Sequence, residues 1–200
     1  MYHSIPSLVL GFHGCDREVG ESVLSGKTDL KPSRNDYDWL GHGIYFWEHN
    51  PRRALEFAEE LKQFDPKKKI KEPFVIGAVI DLGRCLDLLD SKAIGIVKSG
   101  YESVKNAYER LQAPLPQNKP LRGSKDLILR RLDCASVEAA HQIMQEAKEP
   151  SYDNVRGTFV EGDPLYENSG FYAKTHIQLC VRNARCIKGY FRVRDLRDHF

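Results

Sequence analysis

Apolar and polar positions follow two periods along this chain, one of two residues and one near 3.6, and the switches between them outline its elements. Ser7 to His13 is an apolar run closing in the pair His13-Gly14, and predicts a first strand. Asp16 to Leu24 predicts a helix with Asp16 as its N-cap and Gly26 as its stop. Ser25 to Trp39 is polar and reads as a loop. Gly41-His42-Gly43-Ile44-Tyr45-Phe46 is a turn feeding a short aromatic strand. Asn50 is placed to cap a helix with Pro51 at its first position, and Ala54, Leu55, Ala58 and Leu61 form one apolar face of it. A basic link, Lys67-Lys68-Lys69-Ile70-Lys71, leads to an alternating strand from Phe74 to Asp81.

Residues 91 to 148 predict two long helices around a Pro-rich break, Ala113-Pro114-Leu115-Pro116 with Pro120. The last third returns to strands at Asn154 to Val160, Thr175 to Val181 and Ile187 to Val193. Between the first two lies Gly162 to Gly170, a stretch made of turn residues. The expected fold is an α+β domain over residues 1 to 200, its sheet elements at both ends and a helical insertion between them.

Composition narrows the function classes. Hydrophobic residues make up 41% and charged residues 29% of the chain, values of a globular protein. Thirty Lys and Arg face 28 Asp and Glu, a balance that neither demands nor excludes nucleic acid. No run approaches the 18 to 20 apolar residues of a membrane span, and no charged-then-apolar segment follows Met1, so neither a membrane nor a secretory route is expected. Five widely spaced cysteines without a C-x-x-C pair fit reduced thiols, a cytoplasmic setting and no metal.

Two motifs carry the chemistry. A His at a strand end and a Tyr on a second short strand can form two walls of a slot for a flat heteroaromatic ring. The pair His13-Gly14, then Gly41-x-Gly43-Ile44-Tyr45-Phe46, then a helix start at Pro51 resembles the ADP-ribosyltransferase superfamily. The likeness is to its His-Tyr-Glu branch, shared by diphtheria-like toxins and poly(ADP-ribose) polymerases. The resemblance implies a split β-sheet and NAD as co-substrate. It implies that His13 contacts the adenosine-side ribose, that Gly14 pairs its backbone with the nicotinamide amide, and that Tyr45 stacks on the nicotinamide ring. Gly43 of the turn before Tyr45 is a further NAD-binding position, and Ala54 is the small helix residue that leaves room for that ring. A missing Cβ at Gly14 suits close backbone approach to a ligand. Taken singly, His13 reads as a structural group and Tyr45-Phe46 as core packing; their joint occurrence points to NAD.

The third position departs from the pattern. The family places a Glu on a late strand, and the corresponding segment here, Lys174 to Asn183, holds no carboxylate. Ile177, Leu179 and Val181 share one face, expected to meet the core, and His176, Gln178 and Cys180 share the other. Gln178 is therefore the candidate third catalytic residue, with Glu161 at the end of the preceding strand as the alternative carboxylate. A Gln orients a ribose hydroxyl but does not neutralise a growing cation, which implies transfer of one unit rather than chain growth, or lost activity.

The Gly162 to Tyr172 segment sits where the family's acceptor-recognition loop lies, and Tyr166, Phe171 and Tyr172 offer rings for stacking, Phe171 being better suited to packing the loop down. Basic residues gather as Arg182, Arg185, Lys188, Arg192, Arg194 and Arg197, and as Arg122, Lys125, Arg130 and Arg131. They read as a solvated surface or as phosphate contacts, leaving a protein or a nucleic-acid acceptor open. The resulting expectation is an NAD-dependent mono-ADP-ribosyltransferase, a bacterial toxin or defence effector with a neutralising antitoxin as partner. An inactive NAD- or ADP-ribose-binding relative and an RNA 2'-phosphotransferase-like enzyme are the alternatives.

Overall fold

The structure, a computed structural model, describes residues 8–64, 70–121 and 125–194; Ser7, Lys67 to Lys69, Arg122 and Arg197 lie outside them. In chain order the elements are β1 (Leu8–Asp16), α1 (Arg17–Leu24), β2 (Ile44–Glu48), α2 (Pro51–Phe64), β3 (Pro73–Asp81), β4 (Cys85–Asp87), α3 (Ser91–Arg110), β5 (Asn118–Lys119), β6 (Leu129–Arg130), α4 (Arg131–Glu146), β7 (Asn154–Phe159), β8 (His176–Val181) and β9 (Ile187–Arg192). The caps fall where the sequence puts them. The Asp16 side chain accepts from the Glu18 N–H, and Asn50 accepts from the Arg53 N–H at 2.9 Å ahead of Pro51. Gly26 closes α1 with φ +71°.

Seven strands form one mixed sheet in the order β4-β7-β8-β2-β1-β3-β9. Every neighbouring pair is antiparallel except β4 with β7. The architecture is α+β. The joint between β1 and β2 is unusually short. Nine residue pairs join β1 to β3, from Leu8↔Asp81 to Asp16↔Pro73, whereas β1 and β2 are paired only at Gly11↔Glu48 and Phe12↔Trp47.

Strand alternation sends side chains to two separately buried faces. Phe46, Ile76, Ala78, Ile80, Leu179 and Val181 pack on one, under Val23 of α1 and Leu30. The opposite face is covered in two patches. Phe12, Trp47 and Val75 pack against Ala54 of α2, while Val155, Cys180 and Leu86 pack against Leu40, Ala93 of α3 and Val137 of α4. The helical block is thus two helices, α3 and α4, joined through the two-residue ladder of β5 with β6. They close tightly at Gly100, where a Cβ would press into the backbone of Ser136 and Ala140.

Candidate functional site

The site begins where β1 and β2 part. The Leu10 carbonyl accepts from the His49 N–H at 2.9 Å, which makes Leu10 and His49 a hydrogen-bonded pair. Such pairs recur every second residue in an antiparallel ladder, next at Phe12 with Trp47 and then at Gly14 with Tyr45. The ladder stops before that last rung. Its acceptor is taken by a side chain instead, since His13 Nδ1 lies 2.8 Å from the Tyr45 carbonyl oxygen. The Gly14 N–H and C=O point toward β2 one rung beyond the last paired residues of that ladder. His13 is half-buried, and burial lowers its pKa, so the ring is neutral with Nδ1 as the donor.

His13 and Tyr45 therefore meet through the main chain and not as two facing rings. His13 lies on the face of Phe46, whose ring centroid is 5.7 Å away, and Tyr45 lies on the opposite face, beside Cys180. The slot with His and Tyr as its walls, expected from the sequence, does not form; alternation along each strand separates the two rings. Gly14 also has a different reason for being glycine. A Cβ there would run into the carbonyl of Ala54, so the missing side chain admits α2 against the sheet. Ala54 is fully buried in that contact and opens no space for a ring. At Gly43 a Cβ would meet the Cys180 sulfur at 2.5 Å, which fixes the turn onto β8.

The Tyr45 hydroxyl accepts from the Leu40 N–H at 3.0 Å and donates to the Gly41 carbonyl at 2.8 Å. Burial pushes its pKa far above the ordinary phenol value. The turn that grips it is held in turn by α4. Glu138 accepts from the His42 N–H at 2.8 Å and from both terminal nitrogens of Arg182, and Arg182 donates to the His42 carbonyl at 3.1 Å. Burial raises the Glu138 pKa, but the Arg182 guanidinium and the His42 N–H outweigh it and leave the carboxyl below its usual range.

Gln178 stands opposite Trp47 on the Tyr45 face, as its place in the strand requires. That face is not an open polar one. His176 and Cys180 are buried beside it, and Gln178 Oε1 already accepts from the Trp39 indole at 2.6 Å. The Arg130 guanidinium caps the Trp39 and Phe159 rings at 5.1 and 4.3 Å from their centroids. Glu161 is buried and bound to Arg53 of α2 at 3.0 Å. Near this pair, Arg53 Nε, His176 Nε2 and Trp47 Nε1 are buried without hydrogen-bond partners. Burial lowers the His176 pKa to about 4, so this imidazole, stacked on Phe159, is neutral.

The Gly162 to Tyr172 loop is a small excursion closed by a bridge between Pro164 and Tyr172. Leu165, Tyr166 and Phe171 are each at least 60% exposed, so Phe171 does not pack the loop down. The basic residues do not form one free stripe: Arg182 is committed to Glu138, Arg130 to aromatic rings and Arg192 to Glu21. Sequence reasoning missed Trp39 and Glu138, which act here across 139 and 44 positions from Gln178 and Arg182. The one local signal was the Gly41-x-Gly43 turn that both Tyr45 and Glu138 grip.

Two clefts of about 340 Å³ open elsewhere, one between α3 and α4 beside Val97 and Leu132, the other beside β9 at Leu30 and Tyr190; neither is lined by His13, Tyr45 or Gln178. All five cysteines are free thiols, and among the described residues no His, Cys, Asp and Glu cluster could hold a metal. No described helix is long and apolar enough to cross a membrane. No known protein-family profile matches the chain, and no solved structure matches it. An uncharacterized protein of Methanocaldococcus jannaschii is similar, 46% identical over 37 residues, a stretch that covers 18% of this chain and 17% of that protein.

Proposed function

We propose that the chain is an NAD-dependent mono-ADP-ribosyltransferase, and the observation that carries this reading is the unfilled rung at Gly14. A main-chain N–H and C=O side by side on an unpaired strand edge complement a primary carboxamide, which presents one acceptor and two donors. His13 supports it twice over, by taking the Tyr45 carbonyl out of the ladder and by standing next to the same gap. The His13, Tyr45 and Gln178 strands, β1, β2 and β8, are neighbours in the sheet, which supports this reading.

NAD supplies an ADP-ribosyl group whose bond to nicotinamide breaks through an oxocarbenium-like state. Gly14 would hold the carboxamide, Tyr45 would border the ring from β2, and the free amide nitrogen of Gln178 would donate to a ribose hydroxyl while Trp39 fixes its oxygen. The acceptor, protein or nucleic acid, would approach past the exposed rings of Tyr166 and Phe171.

The second reading, an NAD-binding protein without chemistry, draws on one observation: Gln178 is neutral and the Glu161 carboxylate is occupied by Arg53. Nicotinamide release by the purified protein, with and without cell lysate as acceptor source, separates the two. Release accompanied by passage of labelled ADP-ribose from NAD to lysate macromolecules supports transfer, since release alone is equally hydrolysis by water. Saturable NAD binding with no release supports the second reading, and absence of binding overturns both.

A further inference from the structure

Tyr45 is held from outside its own strand. Its hydroxyl is bound by the turn before β2, through the Leu40 N–H and the Gly41 carbonyl, with the Cys180 thiol of β8 beside it. That turn requires its glycine: Gly41 has φ +79°, and a Cβ on it would crowd both Glu138 and Arg182. One carboxylate on α4 joins the parts. Glu138 Oε1 accepts from the His42 N–H at 2.8 Å, and Oε2 accepts from Arg182 Nη2 at 3.1 Å. Arg182 follows directly on β8, so a single pair ties the helical insertion, the end of β8 and the Tyr45 turn together. Both side chains are mostly shielded from solvent, where a forked guanidinium–carboxylate contact holds geometry well.

We propose that Glu138 and Arg182 are positioning residues for the Tyr45 ring, so that the helical insertion sets the shape of the NAD site; this rests on the preceding reading of Tyr45 as part of that site. Their hydrogen bonds go to the His42 main chain and to each other. They fix the turn, and the turn fixes the hydroxyl. A purely structural pair would change stability alone, whereas a positioning pair changes NAD affinity through Tyr45.

The test is a double-mutant cycle of Glu138→Ala with Tyr45→Phe, reading KM and kcat for NAD, the melting temperature and the 19F spectrum of protein grown on 3-fluorotyrosine. Glu138→Ala alone is expected to raise KM about tenfold with kcat within roughly threefold, and to add less than about twofold once Tyr45→Phe has removed the tether. Glu138→Gln keeps an acceptor for the His42 N–H but sets an NH2 against Arg182 Nη2, and is expected to recover only part of the loss. The Tyr45 fluorine signal, assigned by its disappearance in Tyr45→Phe, should shift or broaden in Glu138→Ala. Additive effects on KM, or a folded Glu138→Ala protein with unchanged KM and an unchanged fluorine signal, overturn the proposal. Should Glu138→Ala fail to fold, Arg182→Lys, which keeps the charge and loses the fork, takes its place under the same outcomes. If the wild type takes no NAD, the reading of the site fails while the fluorine signal still decides whether the clamp positions Tyr45.

Discussion

The ring of His13 holds the Tyr45 main-chain carbonyl at 2.8 Å, the acceptor that an unbroken ladder would give to the Gly14 N–H. Removing the ring in His13→Ala frees that carbonyl, and the two strands are expected to close by one rung. The Gly14 amide should then exchange with solvent at least about tenfold more slowly, the equivalent of roughly 1.4 kcal/mol of added protection, and NAD binding should fall. Residue-resolved hydrogen exchange reads this directly. Unchanged Gly14 exchange together with unchanged NAD binding would show that the gap is not kept open by His13.

Gln178 has its oxygen tied to the Trp39 indole at 2.6 Å, which leaves its amide nitrogen as the end that would donate to a ribose under the proposed function. Gln178→Ala should shift tryptophan fluorescence and sharply cut nicotinamide release. Gln178→Glu keeps an acceptor for Trp39 and adds charge stabilisation of roughly 3 kcal/mol, about 10²-fold in rate. Wild type should attach single units only, as gel analysis of labelled product would show. A Gln178→Ala protein with wild-type rates would remove this residue from the site.

Glu161 belongs to the fold before it belongs to any chemistry. Arg53 and Glu161 have side chains 5% and 10% exposed, and Arg53 keeps Glu60 at 3.5 Å and Glu56 at 3.9 Å when Glu161 is removed. Because Arg53 stays paired, Glu161→Ala is expected to cost about 1 to 3 kcal/mol, the loss of one buried charge-assisted hydrogen bond. Denaturant titration measures this. Activity per folded molecule should survive; a folded but inactive Glu161→Gln protein would instead make Glu161 the missing carboxylate.

The buried imidazole of His176 sets part of the acid limit. Its pKa is about 4 in the folded chain against 6.5 as the ordinary value, so below pH 6.5 the unfolded chain binds the extra proton. Stability therefore falls as pH drops from about 6.5 toward about 4, by up to roughly 3 kcal/mol for this one group. His13 and His141, also lowered by burial, act in the same direction. His176→Gln should flatten the acid side of a melting-temperature profile. A profile identical to wild type would mean that His176 titrates normally.

Local chemistry was readable from the chain, and long-range parity was not. The Asp16 and Asn50 caps, the Pro51 helix start and the strands from Phe74 and Asn154 follow from signals within a few residues. The strand Cys85–Asp87 is too short to show a period. Each motif gave its own strand, yet the faces taken by His13 and Tyr45 depend on a register between segments 32 positions apart. Gln178 looked solvent-facing because β8 alternates, but a sheet covered on both sides buries its polar face as well. Glu138 sat inside a helix that carried no motif, and only its partner Arg182 stood out, as one of several basic residues.

The two-rung joint between β1 and β2 divides the sheet into a β1-β3-β9 half and a β4-β7-β8-β2 half, yet the backbone crosses between them at β1 to β2, β2 to β3, β3 to β4 and β8 to β9. No single cut of the polypeptide yields either half as one continuous piece. The seam can loosen locally, but its sides remain stitched by four covalent threads. Fragments made by cleavage at any one loop should regain the native sheet only when mixed, and assembly from the full chain must await contacts far apart in sequence, which favours slow folding.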